Sequence, residues 1–97
     1  MNARISTTGA MDECIVRMRP VVKEASSIYR NGKPVGLAFI GSKIFEIAMA
    51  EKEKGKLVPN TVIDHWEAAL AVAKEMKLPD LVMDIAGIVS ALSSKRR

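Results

Sequence analysis

Apolar residues recur at three- and four-residue spacing along most of the chain, in four segments separated by glycine and proline clusters. This spacing puts the apolar side chains of a segment on one face of a helix. The recurrence runs from Met11 to Tyr29, from Leu37 to Met49, from Val62 to Met76 and from Leu81 to Leu92. Connections of about three to six residues favour antiparallel neighbours. The pattern predicts an all-α fold, a compact bundle of about four antiparallel helices.

Two breakers inside this pattern leave alternatives open. Pro20 lies within the first predicted helix, where it cannot donate a backbone hydrogen bond, so we expect a kink there or a fresh helix start. The pair Asn31-Gly32 suits a two-residue hairpin turn, and the following residues tolerate a strand. A small α+β fold with a hairpin around Asn31-Gly32 is therefore the minor alternative. Pro34 and Gly36 weaken its second strand.

Residues near the predicted helix ends also favour helices. Gly55 suits the left-handed position that ends the second segment. Asn60 or Thr61 can cap the third segment. Asp84 lies near the start of the fourth, where negative charge meets the positive end of the helix dipole.

Length and composition limit the chain to one domain. We expect residues 1–9 to form a flexible arm, 10–94 a single helical domain and 95–97 a basic tail. The 97 residues are 48% apolar with one cysteine, which excludes a disordered chain and a disulfide scaffold. The sequence has no run of 18 apolar residues and no hydrophobic signal-peptide segment near its start. We therefore expect a cytoplasmic protein that does not enter a membrane.

Candidate catalytic and ligand-binding motifs are weak. Residues 36–43 space two glycines like a phosphate-binding loop, but Ser42 and Lys43 stand in the reverse of the order that such a loop needs. His65 is the sole histidine, and its acidic neighbours point in other directions on a helix, so no metal site is predicted. Nothing in the spacing brings Cys14 to His65 as a nucleophile and base. We predict no catalytic residue, no cofactor and no enzyme activity, with His65 on a helix surface.

The net charge of +4 is concentrated in two places. Arg19, Lys23 and Arg30 fall within about 40° of one another around the first helix, and Lys33 follows in the loop. We call these four residues the basic stripe; it fits an acidic protein partner, although such charged faces are often only solvated. The second place is the tail, Lys95, Arg96 and Arg97. The stripe and the tail together also fit nucleic-acid phosphates without sequence preference, since the last predicted helix has no side chains that reach base edges.

Two helices carry more apolar surface than one small bundle can cover. The fourth has a second face of mostly small residues, which lets another helix approach closely; this small-residue face comprises Met83, Ala86, Gly87, Ser90 and Ala91. The second is apolar around most of its circumference. The sequence thus predicts a non-catalytic protein–protein interaction module, a small regulator, adaptor or inhibitor that forms a homodimer. The alternative is a nucleic-acid-binding accessory protein.

Overall fold

The computed structural model describes the backbone of residues 2–55 and 60–95 and the side chains of residues 11–55 and 60–94. Its four helices are α1 (Asn2–Asn31), α2 (Lys33–Glu53), α3 (Thr61–Glu75) and α4 (Pro79–Lys95). These ranges contain no strand. The predicted all-α bundle is confirmed.

The first helix is longer than the apolar pattern indicates. Its backbone is helical from Asn2, so residues 2–9 continue α1, where the sequence suggested a segment without secondary structure. Extending an existing helix adds one hydrogen bond for each residue fixed, and Gly9 costs only about 1 kcal/mol relative to alanine. The division into arm, domain and tail stays a prediction. Pro20 lies within the continuous α1, which excludes a fresh helix start at that residue.

The hairpin alternative at Asn31-Gly32 is wrong. Gly32 alone separates α1 from α2, with an extended backbone (φ −168°). Its amide donates to the Ile28 carbonyl at 3.0 Å, and its carbonyl accepts from the amides of Val35 and Gly36 at 3.1 Å each. Pro34 lies in the first turn of α2, where a missing backbone donor costs nothing. The apolar helix patterns on both sides of Gly32 outweigh the preference of the Asn31-Gly32 dipeptide for a hairpin turn.

Gly36 explains why α2 follows α1 so tightly. It is buried, and a Cβ atom added to it would lie 2.7 Å from both Cα and Cβ of Tyr29. The two helices therefore touch backbone to backbone just after their junction, which requires a residue without a side chain. The glycine that weakened the strand pattern in the sequence is a helix-crossing residue.

The other helix ends follow local rules with one exception. Gly55 has φ +71° after α2, the left-handed position predicted for it. Lys77 also has positive φ (58°) and ends α3 before Pro79 opens α4. Asn60 is the N-cap of α3, but its side chain makes no capping hydrogen bond, while the buried Thr61 hydroxyl lies 3.5 Å from Nδ1 of His65. The sequence predicted a side-chain cap at one of these two residues.

The helices alternate in direction about a central pair. Cys14 of α1 lies against His65 of α3, and Arg19, further along α1, bonds Glu75, further along α3. Residue numbers rise together, so α1 and α3 run parallel. The single residue Gly32 and the short turn after α3 reverse the chain into α2 and α4. In this arrangement α2 packs mainly on α1, and α4 packs mainly on α3.

The core lies between these four helices. Its largest fully buried side chains come from every helix: Met18, Val22, Ile40, Ile44, Val72, Leu81 and Ile85. The face that α3 buries is rotated from the predicted one. Val62 and Met76 are 40% and 37% exposed, whereas Ile63 and Val72 are buried. Because α3 contacts helices on more than one side, its buried arc is wider than the single stripe that periodicity selects.

Candidate functional site

The basic stripe is exposed, but its members differ in what they contact. Nη2 of Arg19 lies 3.0 Å from Oε2 of Glu75, and its Nε is 3.4 Å from the other carboxylate oxygen. This hydrogen bond raises the pKa of Arg19 and lowers that of Glu75. Lys23 and Arg30 have no ion-pair partner among the described residues. Lys33 has none either, so the stripe offers an acidic partner three available cations and a fourth, Arg19, that already has a carboxylate.

A cleft of about 390 Å³, which no sequence pattern indicates, adjoins the end of the stripe. It lies between the last turns of α1 and the α3–α4 turn, with Tyr29, Arg30, Met76, Leu78 and Pro79 among its lining residues. Lys33, the fourth member of the stripe, has its ammonium 5.7 Å from the centroid of the Tyr29 ring. An aromatic ring, aliphatic side chains and two cations thus share one edge of the molecule.

Tyr29 also ties α1 to α4. Its hydroxyl donates to Oδ2 of Asp84 at 2.5 Å, although the two residues are 55 positions apart. The bond to this carboxylate raises the pKa of Tyr29 to about 12, because ionising the phenol would remove the donor and place two negative charges together. Asp84 was predicted to stabilise the start of the last helix. The structure adds a partner for it that spacing along the chain could not reveal.

The structure brings Cys14 and His65 together, which the sequence did not indicate. His65 is only 3% exposed, so its predicted position on a helix surface is wrong. Its Nδ1 lies 3.9 Å from the Cys14 Sγ and 2.7 Å from the Thr61 carbonyl oxygen. Its Nε2 lies 2.9 Å from Nη1 of Arg17. The imidazole lies between the first turn of α3 and α1, although the apolar periodicity of α3 predicts that His65 faces solvent.

Those partners fix the protonation of the ring. A carbonyl oxygen only accepts, so Nδ1 carries the proton, and a guanidinium only donates, so Nε2 is the acceptor. The nitrogen nearest the thiol is therefore already protonated and is not a base for it. Burial raises the pKa of the Cys14 thiol, which keeps it protonated. The geometry gives His65 a structural role, because it accepts from Arg17 and donates to the Thr61 carbonyl in the first turn of α3.

The small-residue face of α4 is uncovered. Met83 is 72% exposed; Gly87, Ser90 and Ala91 are exposed, and Ala86 is half-buried. A Cβ atom added to Gly87 would meet nothing within 4 Å. No contact within the described chain therefore requires a glycine at this mid-helix position.

The outer side of α2 is uncovered as well and carries larger side chains. Phe45, Val35 and Met49 are 64%, 62% and 39% exposed. Ala38 and Ser42 lie between them on the same side of the helix and are also exposed. We call these five residues the outer row of α2. It faces away from the buried side of the helix, which carries Gly36, Ile40 and Ile44.

Comparisons with known proteins leave these surfaces as the guide to function. No family model, curated protein or solved structure matches the chain.

Other parts of the chain bear on function only narrowly. The described residues contain no group of three or more His, Cys, Asp or Glu side chains placed to hold a metal ion. None of the helices in the described ranges is long and apolar enough to cross a bilayer. The predicted phosphate contacts at Lys95, Arg96 and Arg97 lie outside the described side chains. Their role stays a prediction.

Proposed function

We propose that this chain is a non-catalytic helical interaction module, which acts as a small regulator, adaptor or inhibitor by binding other macromolecules. The observation that carries the proposal is the exposure of apolar surface on both outer helices, on the outer row of α2 and the small-residue face of α4. Contiguous apolar patches of this kind on soluble proteins mark sites of association. The Cys14–His65 pair supports a non-catalytic role, because the imidazole nitrogen nearest the thiol is already protonated and is not a base for it. A cytoplasmic location stays an expectation from the sequence.

Self-association is the first part of the proposal. We expect purified protein at tens of micromolar to scatter light with a mass above the 10.6 kDa of one chain. A strict monomer at that concentration would contradict the homodimer. For the small-residue face, Gly87→Leu is the informative variant, because a bulky side chain would hold an approaching helix away. An unchanged mass in Gly87→Leu would count against that face.

The second part is an acidic protein partner at the basic stripe. Lys23 and Arg30 are exposed on one side of α1, and Arg30 lines the mostly apolar cleft, whose one acidic residue is Asp80. An acidic segment with an apolar side chain would place its carboxylates on the cations and the apolar group in the cleft. The probe is a peptide of alternating glutamate and leucine. Lys23→Gln with Arg30→Gln should weaken its binding more than Lys52→Gln with Lys54→Gln, which removes the same charge elsewhere. Equal weakening would contradict a role for the stripe.

The same two cations favour the second candidate, a nucleic-acid-binding accessory protein. Each lysine or arginine that neutralises a phosphate contributes about one unit to the slope of log affinity against log salt. Titration with duplex and single-stranded DNA at several salt concentrations measures this slope. The Lys23→Gln, Arg30→Gln variant should lower it by about two units. Absence of binding at low salt would remove this function and leave the protein-binding one in place.

A further inference from the structure

The outer row of α2 follows a heptad spacing. Its members Val35, Ala38, Ser42, Phe45 and Met49 are separated by three, four, three and four residues, and Lys52 continues the series. All six are exposed and lie opposite the buried side of the helix. This is the spacing of the contact residues in two-stranded coiled coils, in which each side chain enters a gap on the facing helix. Any helix face has this spacing, but a face that only meets solvent has no need of apolar residues at four of its six positions.

The row is self-complementary in size when two copies run antiparallel. One register overlaps the two α2 helices along almost their whole length. In it, Phe45 of each copy opposes Ser42 of the other. Met49 then opposes Ala38, and the aliphatic stem of Lys52 covers Val35 while its ammonium reaches water. The two bulkiest members of the row each meet one of its two small members, so every layer fills without two bulky groups colliding.

Charge on this face is partly self-complementary. Between Val35 and Met49 the only charged residues of α2 are the half-buried Lys43 and the exposed Glu46, whose side chains form an ion pair at 3.8 Å. In the antiparallel register, Glu46 of each copy comes within about one helical turn of Lys43 of the other, on the same side of the contact. The same register also places the Lys43 residues of the two copies within about 1.5 Å of each other along the helix axis, so each lysine lies near one glutamate and one lysine of the partner. The contact is thus isologous, since each copy presents the same surface to the other.

We propose that α2 is the surface through which two copies of this chain associate, as an antiparallel helix pair centred between Ser42 and Phe45. This proposal rests on the self-association in the proposed function and assigns it to α2 rather than to α4. One helix face supplies far fewer than the 20–30 residues that a standard stable interface uses on each side. The dimer should therefore dissociate on dilution, and its mass should depend on concentration.

The first experiment compares the two outer helices by light scattering over a range of concentrations. Phe45→Glu should shift the monomer–dimer midpoint at least tenfold upward, because each charge would enter the centre of the pair. Met83→Glu places the same charge on the more exposed side chain of α4 and should leave the midpoint unchanged. Phe45 is largely exposed, and circular dichroism checks that the variant remains helical. A dimer lost in Met83→Glu but kept in Phe45→Glu would overturn the α2 proposal and retain self-association. A monomeric unmodified protein would overturn both.

The second experiment tests direction and register. Ala38→Cys and Met49→Cys variants are mixed and oxidised, in a chain whose own cysteine, Cys14, is buried. The antiparallel register predicts a disulfide between one variant and the other. Ala38→Cys alone should not cross-link, because its two copies would be about 16 Å apart along the helix axis. Cross-linking of Ala38→Cys with itself would indicate a parallel pair and overturn the register.

The third experiment reverses the flanking charges. Lys43→Glu places two glutamates of one copy near two of the other and should weaken the dimer several-fold. Adding Glu46→Lys restores opposite charges across the contact and should recover the dimer. Failure of the double variant to recover it, with helicity intact, would contradict the reciprocal ion pairs.

Discussion

The two outer helices differ in how they attach to the central α1–α3 pair, and each contains one informative glycine. In α2, Gly36 is buried where the backbones of α1 and α2 meet, with Tyr29 in the place of a side chain. In α4, Gly87 faces open space. Glycine thus permits close packing in α2, whereas in α4 no contact within the described chain requires it. A mid-helix glycine that no contact within the described chain requires directs attention to a contact outside it.

Their attachments differ in chemistry too. α2 begins one residue after α1 and is held by backbone contact and by Ile40 and Ile44. α4 is held by Leu81 and Ile85 near its start, and by the hydrogen bond from Tyr29 to Asp84. Further along α4, Ile88, Val89 and Leu92 are only half-buried. We infer that α4 is anchored at its start and less tightly packed beyond it.

Gly36→Ala should have the largest effect on stability. The new Cβ would lie 2.7 Å from backbone and Cβ atoms of Tyr29, so α1 and α2 would have to separate. Overpacking of this kind costs about 1–3 kcal/mol, which exceeds the helix-propensity gain of alanine over glycine. We expect a net loss of about 2 kcal/mol in the free energy of unfolding, measured by urea denaturation. An unchanged or higher stability would show that the backbone contact is not tight.

Tyr29→Phe should have a smaller effect, confined to the attachment of α4. It removes a hydrogen bond to a carboxylate and keeps the ring, at a cost of about 1.5 kcal/mol, the lower end for a bond to a charged group because Asp84 is only half-buried. The sign of the pH dependence follows from the pKa of Tyr29, which folding raises from its ordinary value of 10 to about 12. Its contribution is complete below pH 10 and is lost as the pH rises toward 12. Urea denaturation between pH 9 and pH 12 should therefore show a fall in stability that Tyr29→Phe lacks. A parallel fall in both proteins would assign it to other groups.

The sequence predicted the helices better than the surfaces between them. Periodicity located all four helices, and Gly55 was correctly placed at a left-handed helix end. Two features that the sequence did not show, the burial of His65 and the close contact at Gly36, depend on distant residues. His65 is buried because Thr61, Arg17 and Cys14 satisfy it, and two of those partners come from α1. Gly36 counted only against the minor hairpin alternative, because the pattern cannot show that Tyr29 would occupy the place of a side chain.

The exposed faces mark a second limit of sequence reasoning. Apolar periodicity indicates which residues favour burial, but it does not show whether another part of the same chain buries them. For α2, only the exposure of Phe45 and Val35 in the structure shows that the described chain leaves this side uncovered. For α4, the open space next to Gly87 shows the same. The basic stripe had the same ambiguity, because nothing in the spacing linked Arg19 to Glu75.

Gly87→Ala should have the smallest effect on stability, and in the opposite direction from Gly36→Ala. Alanine in the middle of a helix is more stable than glycine by about 0.5–1 kcal/mol, and at this position the added methyl group meets nothing within 4 Å. Urea denaturation should therefore show a gain of that size at protein concentrations where the chain is monomeric. A loss of stability would mean that α4 packs more closely on its outer side than the open space at Gly87 implies. The same substitution made in two outer helices would thus lower stability in one and raise it in the other, because only Gly36 occupies a place where a side chain cannot fit.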